Sequence, residues 1–103
     1  EALLKPGMIV SDEPGVYIEG SHGIRIENIV EVVSRNENEY GKFYGFDHLT
    51  YVPIDLEAID KKYMKPDAVK LLNEYHKAVY DRISPLIEDE NVKAWLKDAT
   101  REI

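Results

Sequence analysis

The chain has 103 residues, of which 44% are hydrophobic, and a formal net charge of −7 at pH 7. This length and apolar content are typical of at most one folded domain and argue against a disordered tail. Phosphate binding needs clustered Lys and Arg, whereas the basic residues here are scattered among acids, so nucleic acid is not an expected partner.

The sequence contains no cysteine, no long apolar run and no initiator methionine. Without cysteine there can be no disulfide framework or thiol chemistry, and a reducing compartment, the cytoplasm, is the expected location. No run approaches the roughly 20 apolar residues of a membrane span, so no membrane partner is expected. Because the chain begins with Glu1, we expect it to be a piece of a longer protein.

The first third of the chain has the pattern of β-strands separated by turns. Short apolar runs at residues 8–10 and 16–18 precede a longer alternating segment at residues 23–33. Alternation in that segment predicts one packed face and one polar face. The packed face is predicted to hold Ile24, Ile26, Val30 and Val32, and the other face Arg25, Glu27, Ile29 and Glu31.

Residues 35–42 are polar and contain Gly41, which predicts a loop or exposed turn between two parts of the chain. We therefore divide the sequence into residues 1–38, the end of one domain, and residues 39–103, an extension. Residues 49–52 form the best strand candidate of the extension, and Pro53 ends it. An edge strand is expected there.

From Pro66 onward the apolar residues recur every three or four positions, which predicts an amphipathic helix that Pro85 ends or kinks. A second short helix is predicted to begin near Asp89. Its buried side is predicted to hold Val92, Trp95, Leu96 and Ala99. Strands followed by helices make the expected fold class α+β.

Two glutamates, Glu13 and Glu27, are predicted to be neighbours. A turn around Gly20 and Ser21 makes the chain between them an antiparallel hairpin, in which Glu13 lies opposite or diagonal to Glu27. Sheets normally avoid like charges at opposed positions. A cation or a shared proton between the two carboxylates would remove the repulsion, so the pair predicts half of a metal site.

The surroundings of Glu13 favour the same interpretation. Pro14 holds the preceding residue extended, and Gly15 permits the turn, so Glu13 is aimed rigidly. Carboxylate-rich sites suit hard divalent ions such as Mn²⁺, with Co²⁺ and Zn²⁺ possible when a histidine joins, and bridging carboxylates fit a two-metal hydrolase. None of the three histidines is expected to be a ligand: His22 is assigned to the hairpin turn, His48 to the surface, and His76 to a hydrogen-bonded packing role.

Several segments together resemble proline-specific metallopeptidases of the pita-bread fold, above all Xaa-Pro aminopeptidases. The resemblance covers essentially the whole chain and has two parts. The end of the catalytic domain is matched by residues 4–8 (LKPGM), 12–17 (DEPGVY) and 23–28 (GIRIEN). The C-terminal extension of the longer members is matched by residues 49–54 (LTYVPI), 72–76 (LNEYH), 95–96 (WL) and 99–100 (AT).

The resemblance implies a role for three residues. Glu13 would be a ligand of one metal ion and the general base toward the water between the ions. Glu27 would bridge the two divalent ions, usually Mn²⁺. Arg25 would orient the site carboxylates and the substrate. For Arg25 a cross-strand salt bridge with no catalytic role is an equally good interpretation. The family completes its site with two aspartates and a histidine from upstream, which this sequence does not contain, so the piece alone is expected to be inactive.

For the intact protein the resemblance implies a homodimeric aminopeptidase that removes the N-terminal residue from peptides with proline in second place. A prolidase-type dipeptidase or a creatinase-like hydrolase of the same fold is an alternative, although the extension favours the longer aminopeptidases. A non-catalytic peptide-binding or dimerisation module is an alternative of a different class. The presence of both Glu13 and Glu27 argues against it.

Overall fold

A computed structural model of the chain describes residues 2–103. Within them, strands and helices follow one another in the order that the sequence predicts, and the α+β class is confirmed. The strands are β1 (Ile9–Asp12), β2 (Gly15–Ile18), β3 (His22–Arg25), β4 (Asn28–Asn38) and β5 (Gly41–His48). The helices are α1 (Pro66–Ile83) and α2 (Glu90–Ala99), and short 3₁₀ turns occupy Leu56–Ala58, Lys61–Tyr63 and Ser84–Leu86.

The chain divides into two compact units, one ending at Thr50 and one running from Tyr51 to Ile103. The first unit holds all five strands and the second holds both helices. The sequence-based division between residues 38 and 39 concerns the domains of a longer protein and stays a prediction. Neither helix has the length and hydropathy of a transmembrane span.

In the first unit, β4 lies between β1 and β5 in an antiparallel three-stranded sheet, while β2 and β3 form a separate two-stranded ribbon. Val30 and Val32 on β4 are 4% and 0% exposed, which confirms them as core residues. Ile24 and Ile26, predicted for the same packed face, are exposed in this chain. The predicted long strand at residues 23–33 is in fact two strands, because residues 26 and 27 leave the ladder between β3 and β4.

The loop or exposed turn predicted at residues 35–42 is confirmed only as an exposed turn at residues 39 and 40, and the rest of the range is strand. Strand β4 continues to Asn38 and pairs with β5 from Gly41 onward, with an irregularity between Ser34 and Asn36. The turn is made by Asn38, whose Oδ1 accepts a hydrogen bond from Tyr40 N at 2.8 Å, and by Gly41, whose φ of +134° favours glycine. Polar residues are compatible with a strand here because this end of the hairpin is exposed on both faces.

The edge strand predicted at residues 49–52 is wrong, since β5 already ends at His48 and no strand follows it in the described chain. In the second unit, side chains of α1 bind this backbone instead. Tyr75 Oη donates to Val52 O at 2.8 Å and accepts from Val52 N at 3.2 Å. His76 Nε2 accepts from Ile54 N at 2.9 Å. Both backbone groups of Val52 and the N–H of Ile54 are therefore satisfied without a ladder.

The helices agree with the sequence at their ends and only in part on their faces. Pro66 occupies the first turn of α1, and the Asp89 side chain caps α2 by accepting from the N–H groups of Asn91 and Val92. Leu72, His76 and Val79 are buried on α1, and Leu96 is buried on α2. The predicted burial of Trp95 and Val92 is wrong, because their exposed fractions are 63% and 47%.

The predicted packing role of His76 is confirmed. Its side chain is 0% exposed, and burial lowers its pKa because the charged form would lose its hydration. Since Nε2 already accepts the Ile54 N–H, protonation would put a proton on Nε2 facing another donor. The neutral form is therefore the one that fits the folded unit.

We expect the free energy of unfolding of the helical unit to be at its full value above about pH 6.5, the ordinary histidine pKa, and to fall as the pH is lowered. Below that pH the unfolded chain binds a proton that the folded chain does not, which costs about 1.4 kcal/mol per pH unit until the folded-state pKa is reached. Urea titrations followed by helical circular dichroism between about pH 5 and 8 measure this dependence.

The variant His76→Gln should lose this part of the pH dependence, whereas His22→Gln, which changes an exposed histidine outside the helices, should keep it. Equal profiles for His76→Gln and the unchanged chain would contradict the assignment.

Candidate metal centre

The ladders β1–β4 and β2–β3 share one register although they belong to different sheets. In both, the numbers of paired residues add to 40, from Ile9 opposite Glu31 to Ile18 opposite His22. Between the ladders, Ile26 N donates to Pro14 O at 3.2 Å, so the two chain segments stay adjacent through the break. Continued through the break, the register places Glu13 opposite Glu27, as the sequence predicts.

The turn that sets this register lies at the far end of the ribbon. Gly20 adopts a φ of +71°, in the left-handed region that glycine tolerates best, and Ser21 N donates to Ile18 O at 3.0 Å. The turn therefore lies where the sequence predicts it, around Gly20 and Ser21. His22, expected in this turn, is the first residue of β3, and its Nδ1 lies 2.8 Å from Ser21 Oγ.

Odd-numbered residues share one face of the ribbon, because directly opposed residues of an antiparallel pair point the same way and neighbours along a strand alternate. This odd face of the ladder carries Gly15, Tyr17, Gly23 and Arg25. When the alternation is continued past the ladder, Glu13 and Glu27 fall on the same face. Arg25 Nε lies 3.4 Å from Glu27 Oε2, which places these two side chains together on that face. The salt bridge runs along one segment of chain, not across the strands.

The odd face is exposed around its charges. The Arg25 and Glu27 side chains are 54% and 37% exposed, and Glu13 is exposed as well. An ion pair this accessible to water contributes little to stability. The arrangement is therefore not explained as a device that holds the ribbon together, and its charges remain accessible to a ligand.

Tyr17 lies on the odd face in a position that the sequence did not reveal. Its ring covers Gly15 and Gly23 so closely that a Cβ atom at Gly23 would lie 2.6 Å from Tyr17 Cδ1, and one at Gly15 would lie 2.7 Å from Tyr17 Oη. Only glycine leaves room for the ring in this position. A tyrosine with glycine opposite and two residues earlier is the sequence pattern that could have indicated it.

Thr50 is a second residue that the sequence did not single out beyond a strand assignment. Its hydroxyl bonds both Asn28 Oδ1 and the N–H of Ile29, the two residues directly after Glu27. No local pattern could have revealed this contact, since it joins residues more than 20 positions apart in sequence.

As a metal site, the described chain supplies only part of a ligand set. No group of three or more His, Cys, Asp or Glu side chains suited to a metal ion occurs within residues 2–103. Two opposed carboxylates fit hard divalent ions, which take oxygen ligands. Glu13 and Glu27 can therefore serve as two donors of a larger site and need others to complete it.

Comparison with known proteins decides the family. Residues 42–103 match the family model described as the C-terminal region of peptidase M24, and residues 1–34 match the model of metallopeptidase family M24. The chain belongs to metallopeptidase family M24. The resemblance to proline-specific metallopeptidases is thereby confirmed.

Several relatives of this M24 chain are Xaa-Pro aminopeptidases by description. A probable Xaa-Pro aminopeptidase P of Coprinopsis cinerea is 42% identical in an alignment 104 positions long, which covers 97% of this chain and 17% of the relative. Aminopeptidase P2 of Arabidopsis thaliana is 39% identical over 97% of this chain and 14% of its own length. The chain thus spans about a sixth of the length of these relatives.

A solved structure supports the same fold assignment. The X-prolyl aminopeptidase of Caenorhabditis elegans, described as a cytosolic enzyme with a di-nuclear active site, aligns with a TM-score of 0.86 and 30% identity. The alignment covers 97% of this chain and 17% of the C. elegans protein. The M24 chain therefore has the fold of the corresponding part of that enzyme.

We expect the 103-residue chain to bind Mn²⁺ with a dissociation constant weaker than micromolar, because two carboxylates leave most of the coordination shell to water. Isothermal titration of the purified chain with MnCl₂ measures this, with Glu27→Gln as the reference in which one donor is neutral. Micromolar binding that survives Glu27→Gln would reveal a site elsewhere in the chain.

The substitution Glu27→Gln should leave the free energy of unfolding of the 103-residue chain unchanged or raise it slightly. It removes an exposed ion pair worth at most about 1 kcal/mol and also the repulsion of two opposed carboxylates, which is of similar size. Urea denaturation compares it with Glu19→Gln, the same change in the exposed hairpin turn. A loss above about 2 kcal/mol would mean that Glu27 belongs to a buried structural network.

Proposed function

We propose that this chain is the C-terminal part of a dinuclear-metal Xaa-Pro aminopeptidase. The observation that carries the proposal is the single register that places Glu13 opposite Glu27, with Arg25 beside Glu27 on the same face. Membership of the M24 family and relatives described as Xaa-Pro aminopeptidases support it.

In this proposal Glu13 and Glu27 are metal ligands contributed by the two halves of one hairpin. In the loaded site Glu13 would hold one ion, and Glu27, opposite it, would help to hold both. The residue before a proline is restricted to extended conformations, so Glu13 loses little freedom when it binds. The remaining donors come from the part of the protein that precedes this chain.

Two divalent ions, when bound, activate a water for attack and stabilise negative charge on the substrate carbonyl oxygen. Glu13 also takes the proton that the attacking water gives up, which makes it the general base. Arg25 orients the Glu27 carboxylate through Nε, 3.4 Å away. A guanidinium has five N–H donors, so the same side chain can also hold a substrate oxygen.

We further propose Mn²⁺ as the native metal, with Co²⁺ and Zn²⁺ as alternatives. The carboxylate donors favour a hard ion, and the di-nuclear site of the C. elegans relative supports the number of two. The substrates proposed are peptides with proline in second place. A cytosolic location, as described for the C. elegans relative, and a homodimer complete the proposal.

The proposed domain organisation assigns residues 1–38 to the catalytic domain and residues 39–103 to an extension. The two family models, which match residues 1–34 and 42–103, support a division near this point. In this arrangement the metal ligands of the chain all come from the first part.

The intact parent protein, stripped of metal and resupplied with Mn²⁺, should release the N-terminal residue from an Xaa-Pro peptide. Glu27→Ala and Glu13→Gln should each lower kcat/KM by about 100-fold or more, since one removes a ligand and the other a ligand and base. The matched control is Glu19→Gln, which changes an exposed carboxylate in the hairpin turn and should retain activity. Release of the N-terminal amino acid measured by chromatography gives the rates.

Parallel assays with Co²⁺ and Zn²⁺ at the same free concentration test the choice of metal. Absence of cleavage with any of the three ions would overturn the enzyme proposal and favour the non-catalytic peptide-binding or dimerisation module.

A further inference from the structure

A short strap of residues 49 and 50 closes the end of β4 that lies next to Glu27. The last ladder pair between β4 and β5 is Val30 opposite His48. Beyond it, Leu49 N donates to Ile29 O at 2.8 Å. Thr50 Oγ1 then accepts from Ile29 N at 3.0 Å and donates to Asn28 Oδ1 at 3.0 Å. A side-chain hydroxyl thus continues the pairing where the backbone ladder stops.

The position of this strap matters because Glu27 lies in the break between β3 and β4. On its N-terminal side the chain is held by the bond from Ile26 N to Pro14 O. On its C-terminal side it is held by β1, whose Asp12 and Ser11 pair with Asn28 and Ile29. The strap holds the same two residues from the other side of β4. The Glu27 side chain itself is exposed and contacts Arg25 only through an ion pair open to water.

The two bonds of Thr50 are also better shielded than that ion pair. Both are part-buried, whereas the Arg25 and Glu27 side chains are 54% and 37% exposed. Hydrogen bonds out of water hold their geometry more firmly than exposed charge pairs. The strap therefore holds the chain next to Glu27 more firmly than the Arg25–Glu27 ion pair does.

We propose that Thr50 is a positioning residue of the metal centre, which holds the backbone after Glu27 so that its carboxylate stays opposite Glu13. This inference rests on the proposed function, because it assigns a role at the same site. The two side-chain hydrogen bonds of Thr50 run to the residues directly after Glu27. It acts through Asn28 and Ile29.

The chemistry of the hydroxyl explains why threonine suits this place. A hydroxyl donates one hydrogen bond and accepts others at once, so a single atom binds the Asn28 amide oxygen and the Ile29 N–H. Valine has the same shape and can do neither. With valine, Ile29 N would lose its bond to the Thr50 hydroxyl, and Asn28 Oδ1 would lose the bond that this hydroxyl donates.

The test uses the intact parent protein, stripped of metal and titrated with Mn²⁺ alone. Thr50→Val should weaken Mn²⁺ binding by about 10-fold, which is the lower end of the loss caused when a residue that supports a metal ligand is removed. The Mn²⁺ affinity of Thr50→Ser should lie within about twofold of that of the unchanged protein. In peptide cleavage assays Thr50→Val should lose activity, and excess Mn²⁺ should restore it. Thr50→Ser should keep its activity without excess Mn²⁺.

The matched control is Thr100→Val, which removes the only other threonine hydroxyl of the chain. Thr100 Oγ1 donates to Leu96 O at 2.8 Å at the end of α2, in the other unit. Its loss should lower thermal stability without changing Mn²⁺ affinity. Equal weakening of Mn²⁺ binding by Thr50→Val and Thr100→Val would reduce the role of Thr50 to general stability and overturn the inference.

Glu27→Ala separates failure of this inference from failure of the proposed function. If Glu27→Ala binds Mn²⁺ as the unchanged protein does, the proposed metal centre is wrong. If Glu27→Ala loses Mn²⁺ while Thr50→Val binds it normally, only the positioning role is wrong. Should Thr50→Val not fold, Asn28→Ala, which removes one acceptor, takes its place, and normal Mn²⁺ affinity in that variant would overturn the inference.

Discussion

The first unit depends on one constraint, the common register of two β ladders that a break separates. A slip of one residue would turn every side chain of a strand to the opposite face. Glu27 would then leave the face of Glu13 and join that of Ile24 and Ile26. The Gly20 turn sets the register at one end, and the Ile26 to Pro14 bond carries it across the break. The facing carboxylates are a consequence of this pairing.

The ribbon combines an exposed apolar face with an exposed charged face. Val16, Ile18, Ile24 and Ile26 alternate with the odd-face residues and are between 45% and 64% exposed. Apolar side chains of this kind are stabilised when a further layer covers them. This chain covers 17% of one of its relatives, so most of that protein lies outside the part that the chain matches. The charged face is incomplete in a similar way, because Glu13 and Glu27 supply only part of the ligands that a metal site needs.

Polar side chains replace ladder partners on both sides of the point where the chain leaves β5. In the first unit, Thr50 takes the N–H of Ile29. In the second unit, Tyr75 and His76 take the backbone groups of Val52 and Ile54. In each case the side chain that takes the place of a ladder partner is far away in sequence. The irregular segment after β5 is thereby held without being a strand, and burial lowers the pKa of His76.

The sequence by itself determined the features that arise from local preferences. Alternation about Gly20 predicted the opposed glutamates, Pro66 and Asp89 marked the starts of the helices, and Pro85 marked an end. Turns, caps and prolines act within a few residues, so their effects can be read directly from the chain. The roles of Glu13, Glu27 and Arg25 were carried by resemblance and remain proposals.

Only the tertiary structure decided the rest. Residues 35–42 look like a loop because they are polar, yet pairing with β5 makes most of them strand. Residues 49–52 look like a strand because they are β-branched and aromatic, yet Tyr75 binds the backbone of Val52. Trp95 has helical spacing for burial and is nevertheless exposed. In each case the outcome depends on which distant group satisfies the backbone or covers the side chain, and local sequence does not contain that information.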